Sequence, residues 1–475
     1  MAQDRSVRRH YSARVEPIEI DGEQVQPLST PQQFYETLMQ GIAAARHRIC
    51  MAALYLGTEQ LERRMIQALL SAMQHRPDLR VDILLDHSRG LRGGATGGSL
   101  GALLPLLHAF GDAPRLRILL YQMPQLRGRW TWLPSPLNET VAVTHVKAFA
   151  FDDAVVVTGA NLSRDYFTAR QDRYVRVRGC ARLADAYCAL VDALAPWCFR
   201  ATAAGAALAL PLSADAAAEA AHFREKLAGA FRRGDTLIVP TLQHAALGVR
   251  GDEHATLALL SSAAAAAACA PHDQRNPLAP PTAAAATVDL ATAYLNPPAA
   301  LLSQLAALGA GARALSAAPV SHGFAGAAGV KGAIPALYAG LQARVGAAGV
   351  PLWEYAREGW TFHAKGVWGW PGGSGGGGGG APCCTLVGSS NYNVRSAERD
   401  LESQLALFTA NAGLQARLRE EWGALLKYAA PAPAPDRPPH GSADGGERGA
   451  AHASGAMRLL LRRATPLLPY ITRYL

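Results

Sequence analysis

Lysine is nearly absent from this chain of 475 residues, which carries five lysines against forty-one arginines. Arginine in its place, with heavy use of alanine, glycine and proline, most simply reflects GC-rich coding. Cysteine is also sparse. The seven thiols are odd in number and show no CxxC spacing or His-rich companion. That argues against a disulfide framework or a zinc site and leaves reduced thiols as the expectation; the vicinal Cys383 and Cys384 are expected to occupy a strand. Long apolar runs are missing too. The longest weakly apolar stretch, about 255–270, is mostly alanine and serine and predicts an ordinary helix, not a membrane span. Nor does any basic stripe carry the interleaved aromatics that single-stranded nucleic acid binding uses.

The remainder describes a globular protein, soluble or peripheral to a membrane. Hydrophobic residues make up 49% and the mean hydropathy is +0.03, on a chain long enough for two domains with buried cores. The formal charge of +9 and pI near 9.3 favour anionic partners: phosphorylated metabolites, nucleic acid or acidic lipid headgroups.

Two halves are visible, at 28–200 and 221–429, joined by a linker or capping helix at 201–220. Each opens with a helix and a strand ending in a Tyr-Leu turn, ALYLGTEQLE at 53–62 and TAYLNPPAAL at 292–301. Each continues with an apolar strand and a Gly-rich turn, VDILLDHSRGLRG at 81–93 and ARALSAAPVSHGFAG at 312–326. Strands alternating with helices predict an α/β fold, and the shared order suggests duplication. Residues 1–27 read as an N-terminal tail; the basic residues and serines at its start are thin evidence for the remnant of an organellar presequence. Gly372–Gly380 reads as a flexible hairpin insertion and 430–456 as a disordered linker. The last stretch, 457–475, has leucines, four arginines and no acid. It reads as a basic amphipathic tail for a membrane surface, with docking on its own domain nearly as good a fit.

Two of the five lysines lie in the same pattern, His145-Val146-Lys147 and His363-Ala364-Lys365. Residues two apart on a strand share one face. In the first copy Asp152, a buried strand AVVVT, Gly159, Asn161 and Asp172 follow; in the second come Gly388, Ser390, Asn391 and Glu402. The asparagine-to-carboxylate spacing is eleven in both. A phosphodiester is anionic and resists attack, so one imidazole can serve as nucleophile while another protonates the departing oxygen. Lys147, Lys365, Asn161 and Asn391 would stabilise charge on the phosphate, and a carboxylate behind each imidazole would fix its tautomer. This chemistry requires no metal ligand and no cofactor. A lone His-x-Lys would usually be surface decoration or a core histidine; two copies matched in order and spacing are not.

The segment at 145–161, H-x-K-x4-D-x6-G-x-N, and GSSN at 388–391 resemble the signature of the phospholipase D superfamily. Within it, ALYLGTEQLE, ILLDHSRGLRG, GANLSRDYFTARQDRY, GVKGAIPALY, EGWTFHAKGVW, GSSNYNVRSAERDLESQ and ATPLLPYI resemble the eukaryotic-type phosphatidylglycerophosphate synthases. The resemblance implies two phospholipase D-like domains, each a mixed sheet flanked by helices, related by a pseudo-twofold axis around one shared active site. It implies transfer of the phosphatidyl group of CDP-diacylglycerol to glycerol 3-phosphate. His145 would be the nucleophile and His363 the acid and base; Lys147, Lys365 and Asp152 would join them. Asn161, Ser390 and Asn391 would bind phosphate, with Asp172 and Glu402 orienting the histidines. Trp370 stands where the second motif's aspartate would fall, as in the synthases. A phosphatidylserine synthase or hydrolytic phospholipase is the neighbouring reading; a nuclease or an inactive binding module is the more distant one. The implied location is peripheral on the mitochondrial inner membrane, against acidic lipids, with a plastid as the alternative.

Overall fold

The computed structural model describes residues 18–94, 97–127, 138–202, 208–209, 235–268, 285–371 and 380–433. Most of the 201–220 linker, nearly all of the glycine insertion, most of the 430–456 linker and the whole 457–475 tail lie outside the described residues, as do residues 1–17.

Among the described residues two large mixed sheets face each other. The first has nine strands. Its parallel part is Arg48–Ala53, Arg80–Asp86 and Leu116–Tyr121. Its antiparallel part continues from Arg48–Ala53 through Ala148–Phe151, Ala154–Thr158, Tyr174–Val177 and Val25–Leu28. The second sheet repeats this plan in ten strands. Ala285–Thr292, Ala312–Ala317 and Leu352–Tyr355 are parallel; Lys365–Pro371, Cys384–Gly388, Leu401–Thr409 and Thr236–His244 continue antiparallel. The matching strand orders bear out the two-unit α/β architecture.

The strand sequences explain themselves. RVDILLD and AVVVT are near-continuous apolar runs because helices cover these strands. Gln60–His75 turns Met65, Ile66, Leu69, Ala72 and Met73 inward at helical spacing. One core lies under the outer helices of the first half and another under those of the second. The largest joins Val155 and Val175 of one sheet to Leu405 and Leu407 of the other, with the helices Ala181–Leu194 and Ala412–Leu426 contributing.

The stretch read as a tail is partly built into the fold. Ile18–Ile20 pairs antiparallel with Thr236–Ile238 of the second sheet, while Val25–Leu28 edges the first. The eleven residues from Ile18 to Leu28 thus tie the two sheets together. The strand Ala429–Pro431 likewise pairs with Trp353–Tyr355, so the first two residues of the segment read as a linker belong to the sheet. The helix Gly251–Ala268 stands where the alanine-rich run predicted one. Among the described residues no helix is long and apolar enough to cross a membrane.

Candidate active site

Each His-x-Lys segment lies at the carboxyl end of the first parallel strand of its own sheet. Ala148 pairs with Ala52, and Lys365 with Thr292. Ligands in α/β sheets collect at such ends. Both segments also reach across to the other half. The His145 amide donates to the Leu401 carbonyl at 2.7 Å, and the His363 amide to the Gln171 carbonyl at 2.8 Å. Leu401 precedes Glu402 and Gln171 precedes Asp172, so these backbone bonds set each histidine beside the opposite half's carboxylate.

The side chains complete the exchange. His145 Nδ1–H donates to Glu402 Oε2 at 2.9 Å, and His363 Nδ1–H to Asp172 Oδ2 at 2.6 Å. Each carboxylate serves the histidine it does not share a domain with. Lys147 and Lys365 donate to the carbonyls of His145 and His363, at 2.7 and 2.6 Å. The Lys365 ammonium also lies 2.6 Å from His363 Nδ1; the ionisable Asp172 oxygen at the same distance makes Nδ1 the protonated nitrogen. All six groups are buried.

Burial governs their protonation. Desolvation, reinforced by Lys147, holds the His145 imidazole well below its ordinary range; desolvation and then Lys365 do the same to His363. Burial lifts Glu402 to about 7 against the pull of Lys147, and Asp172 to about 6 against that of Lys365. It pushes Lys147 well down and Lys365 to about 8. Burial therefore favours the neutral imidazole at His145, the form with a lone pair for attack. A phosphate anion beside His363 would favour its imidazolium and both ammonium groups.

Two residues of the expected set bond elsewhere than to the histidines. Asp152, taken with the catalytic set from the motif, lies at the far end of Ala148–Phe151 from the histidine. Its carboxylate accepts from the backbone amides of Arg46, His47 and Arg48 at 2.7 to 3.0 Å. It occupies a left-handed backbone conformation, φ 51°, in the hairpin to Ala154–Thr158, and its work is to fix that turn. The second copy has its glycine-rich insertion at this hairpin, which explains why Trp370 can stand there. Ser390, taken as a phosphate ligand, donates its hydroxyl to Asp252 Oδ2 at 2.5 Å. Asp252 also accepts from Thr241, and burial lifts it to about 7. By contrast Asn161 Oδ1 and Asn391 Oδ1 are buried without a partner among the described residues.

No model of a known protein family matches the chain. Individual relatives do. The mouse mitochondrial CDP-diacylglycerol–glycerol-3-phosphate 3-phosphatidyltransferase is 36% identical over 455 residues, covering 85% of this chain and 77% of the mouse protein. The human mitochondrial enzyme of that name is 34% identical with the same coverage. The chain belongs to this phosphatidyltransferase family. The Saccharomyces pastorianus member is 27% identical across 88% of this chain and 83% of its own. Among solved structures, the phosphatidylserine synthase of Haemophilus influenzae Rd KW20 matches 99% of both chains with a TM-score of 0.73 at 17% identity. That likeness speaks for the fold alone.

Several site residues escaped the motif. Tyr166 bridges Asn161 Nδ2, at 3.0 Å, and His363 Nε2, at 3.2 Å. Ser396 donates to Glu402 Oε1 at 2.6 Å. Each lies five residues after its asparagine, in equivalent short helices, Arg164–Thr168 and Val394–Glu398. Aligning the two copies on asparagine and carboxylate would have found them. Among the described residues no group of three or more His, Cys, Asp or Glu side chains could hold a metal ion.

Gly159 is one place where the halves meet closely. A Cβ there would lie 2.7 Å from Asp172 Oδ1 and 2.8 Å from Lys365 Cδ. Gly159→Ala is therefore expected to displace the Asp172–His363 pair and lower kcat about tenfold to a hundredfold, with little change in thermal midpoint. Steady-state kinetics beside a melting curve check this.

Proposed function

We propose that this chain transfers the phosphatidyl group of CDP-diacylglycerol to glycerol 3-phosphate, giving phosphatidylglycerophosphate and CMP through a phosphatidyl-histidine intermediate. The observation that carries it is the buried pair of imidazoles, each backed by a carboxylate from the other half. The names of its relatives supply the substrates. The His145 lone pair forms an N–P bond, and the P–O bond to CMP breaks with its electron pair on oxygen. The His363 imidazolium supplies the proton to that oxygen. Neutral His363 then takes the proton of the glycerol 3-phosphate hydroxyl as its oxygen attacks phosphorus and the N–P bond breaks. Lys147, Lys365, Asn161 and Asn391 hold the nonbridging oxygens; Glu402 and Asp172 stabilise the imidazoles.

The site chemistry draws on no cofactor or metal. Peripheral contact with acidic lipid on the mitochondrial inner membrane is supported by the +9 charge and by the mitochondrial names of the animal relatives. Nucleic acid has no part in this scheme. Labelled glycerol 3-phosphate, presented with CDP-diacylglycerol in detergent micelles containing EDTA, is expected to enter a chloroform-soluble product. Transfer to serine or water, with none to glycerol 3-phosphate, would overturn the acceptor. Silence with every acceptor would overturn the enzyme.

A further inference from the structure

The two half-sites are built alike but differ at one aligned pair. Counting from Asn161 and Asn391, position five is Tyr166 in the first copy and Ser396 in the second. Both residues sit in a five-residue helix between the asparagine and the orienting carboxylate. The serine is too short to reach across the site and donates to Glu402 on its own half at 2.6 Å. The tyrosine does reach. Its ring stands edge-on to the His363 ring, with centroids 5.0 Å apart and planes at 82°, and its hydroxyl lies 3.2 Å from His363 Nε2.

Hydrogen-bond bookkeeping fixes the direction of that contact. With Nδ1–H donating to Asp172, neutral His363 has only a lone pair on Nε2. The phenol must then be the donor. Its own oxygen accepts from Asn161 Nδ2 at 3.0 Å, and Arg170 lies over its ring with 4.7 Å to the centroid. The Lys365 ammonium sits nearer Nδ1, 2.6 Å against 3.2 Å to Nε2, and does not share that lone pair. His145 has no counterpart: among the described residues nothing hydrogen-bonds to its Nε2, and Ser396 stays with Glu402.

We infer that Tyr166 is a positioning residue that sets the division of labour between the two histidines: by donating to the Nε2 lone pair of neutral His363, it reserves that imidazole for proton transfer while His145 Nε2 stays open for attack on phosphorus. The role rests on the phosphatidyltransferase reading above. In the first half-reaction His363 Nε2–H gives its proton to the departing CMP oxygen, which keeps the electron pair of the broken P–O bond. The lone pair left on Nε2 is the one Tyr166 O–H receives. When the acceptor hydroxyl gives up its proton, Nε2 takes it and the phenol bond is released. Tyr166 itself neither gains nor loses a proton over the cycle.

A bond donated to the neutral form favours that form and makes the imidazolium a stronger acid. The other groups facing His363 are Asp172 and Arg170 from the Arg170–Asp172 segment, and Lys147 and His145 from the facing motif. Its own Lys365 and the Tyr294 ring, 5.8 Å away, complete the surround. Of these, Arg170 also hydrogen-bonds the Tyr166 phenol, so the pH dependence reads the phenol oxygen together with that contact.

The test is the pH profile of kcat/KM for CDP-diacylglycerol, whose alkaline limb reports loss of the His363 proton. In Tyr166→Phe that limb is expected to move to higher pH, with kcat about tenfold lower and KM for the lipid within twofold. Replacing Tyr166 by 3-fluorotyrosine keeps the shape and the hydroxyl while strengthening the donor. It is expected to move the limb the opposite way, and it answers the question even if the phenylalanine variant folds badly. A limb unmoved in both variants would overturn the role of Tyr166. Failure of the wild type to transfer to glycerol 3-phosphate would instead overturn the reading beneath it.

Discussion

His145→Ala is expected to reduce transfer to glycerol 3-phosphate on the order of 10⁴-fold or more, because deleting a nucleophile removes the covalent route altogether. The crossed pairing predicts the accompanying detail. Glu402, the partner of His145, is buried on the opposite half and keeps its bond from Ser396. The protein should therefore fold with its sheets intact. Mixing enzyme with CDP-diacylglycerol labelled in the phosphatidyl group and quenching in denaturant should trap label on the wild type and none on His145→Ala. Under the same quench, His363→Ala should still take up label, slowly, because CMP departs without a proton donor. Label retained by His145→Ala at the wild-type level would reverse the two roles.

The second large effect falls on stability. Arg173 follows Asp172 in sequence and is almost wholly buried, yet it serves the second half. Its guanidinium pairs with both oxygens of Glu421, at 2.9 and 2.7 Å, and donates to the Leu386 carbonyl at 2.7 Å. It also lies over the Trp368 ring, 3.8 Å from the centroid. Gly366 exists to admit it, since a Cβ there would meet the guanidinium at 2.0 Å. Arg173→Ala should cost about 3–5 kcal/mol, because it leaves Glu421 charged and buried without its partner. Chemical denaturation measures this. The double replacement Arg173→Met with Glu421→Leu should recover much of the loss by removing the stranded charge as well. Equal stability of the single variant and the wild type would mean that water reaches Glu421.

What could be read in the sequence was local, and what could not was mostly the product of long-range contact. The strand AVVVT and the alanine-rich helix at 251–268 declare themselves through composition and period. The duplicated histidine, lysine, asparagine and carboxylate stand out because lysine is rare here and the spacing repeats. The ownership of each carboxylate had no such signal: His145 and Glu402 are 257 residues apart in sequence, and only the packed sheets bring them together. Residues 18–27 passed for a tail because two strands of three and four residues leave almost no periodicity. Asp152 illustrates a different reason: its place in the motif does not reveal that its carboxylate accepts from three backbone amides at a left-handed turn. Nor does the sequence show that the Ser390 hydroxyl donates to Asp252.

The exchange of carboxylates has a historical side. One unit by itself would own an imidazole lacking its acid and an acid lacking its imidazole. Such a unit becomes competent only when a second copy stands opposite, so its activity would depend on its own concentration. Fusing both into one chain makes that encounter intramolecular. It also lifts the identity that two separate products of one gene must share. Tyrosine at 166 against serine at 396 is a difference no pair of identical subunits could carry, and with it two equal histidines can take unequal jobs.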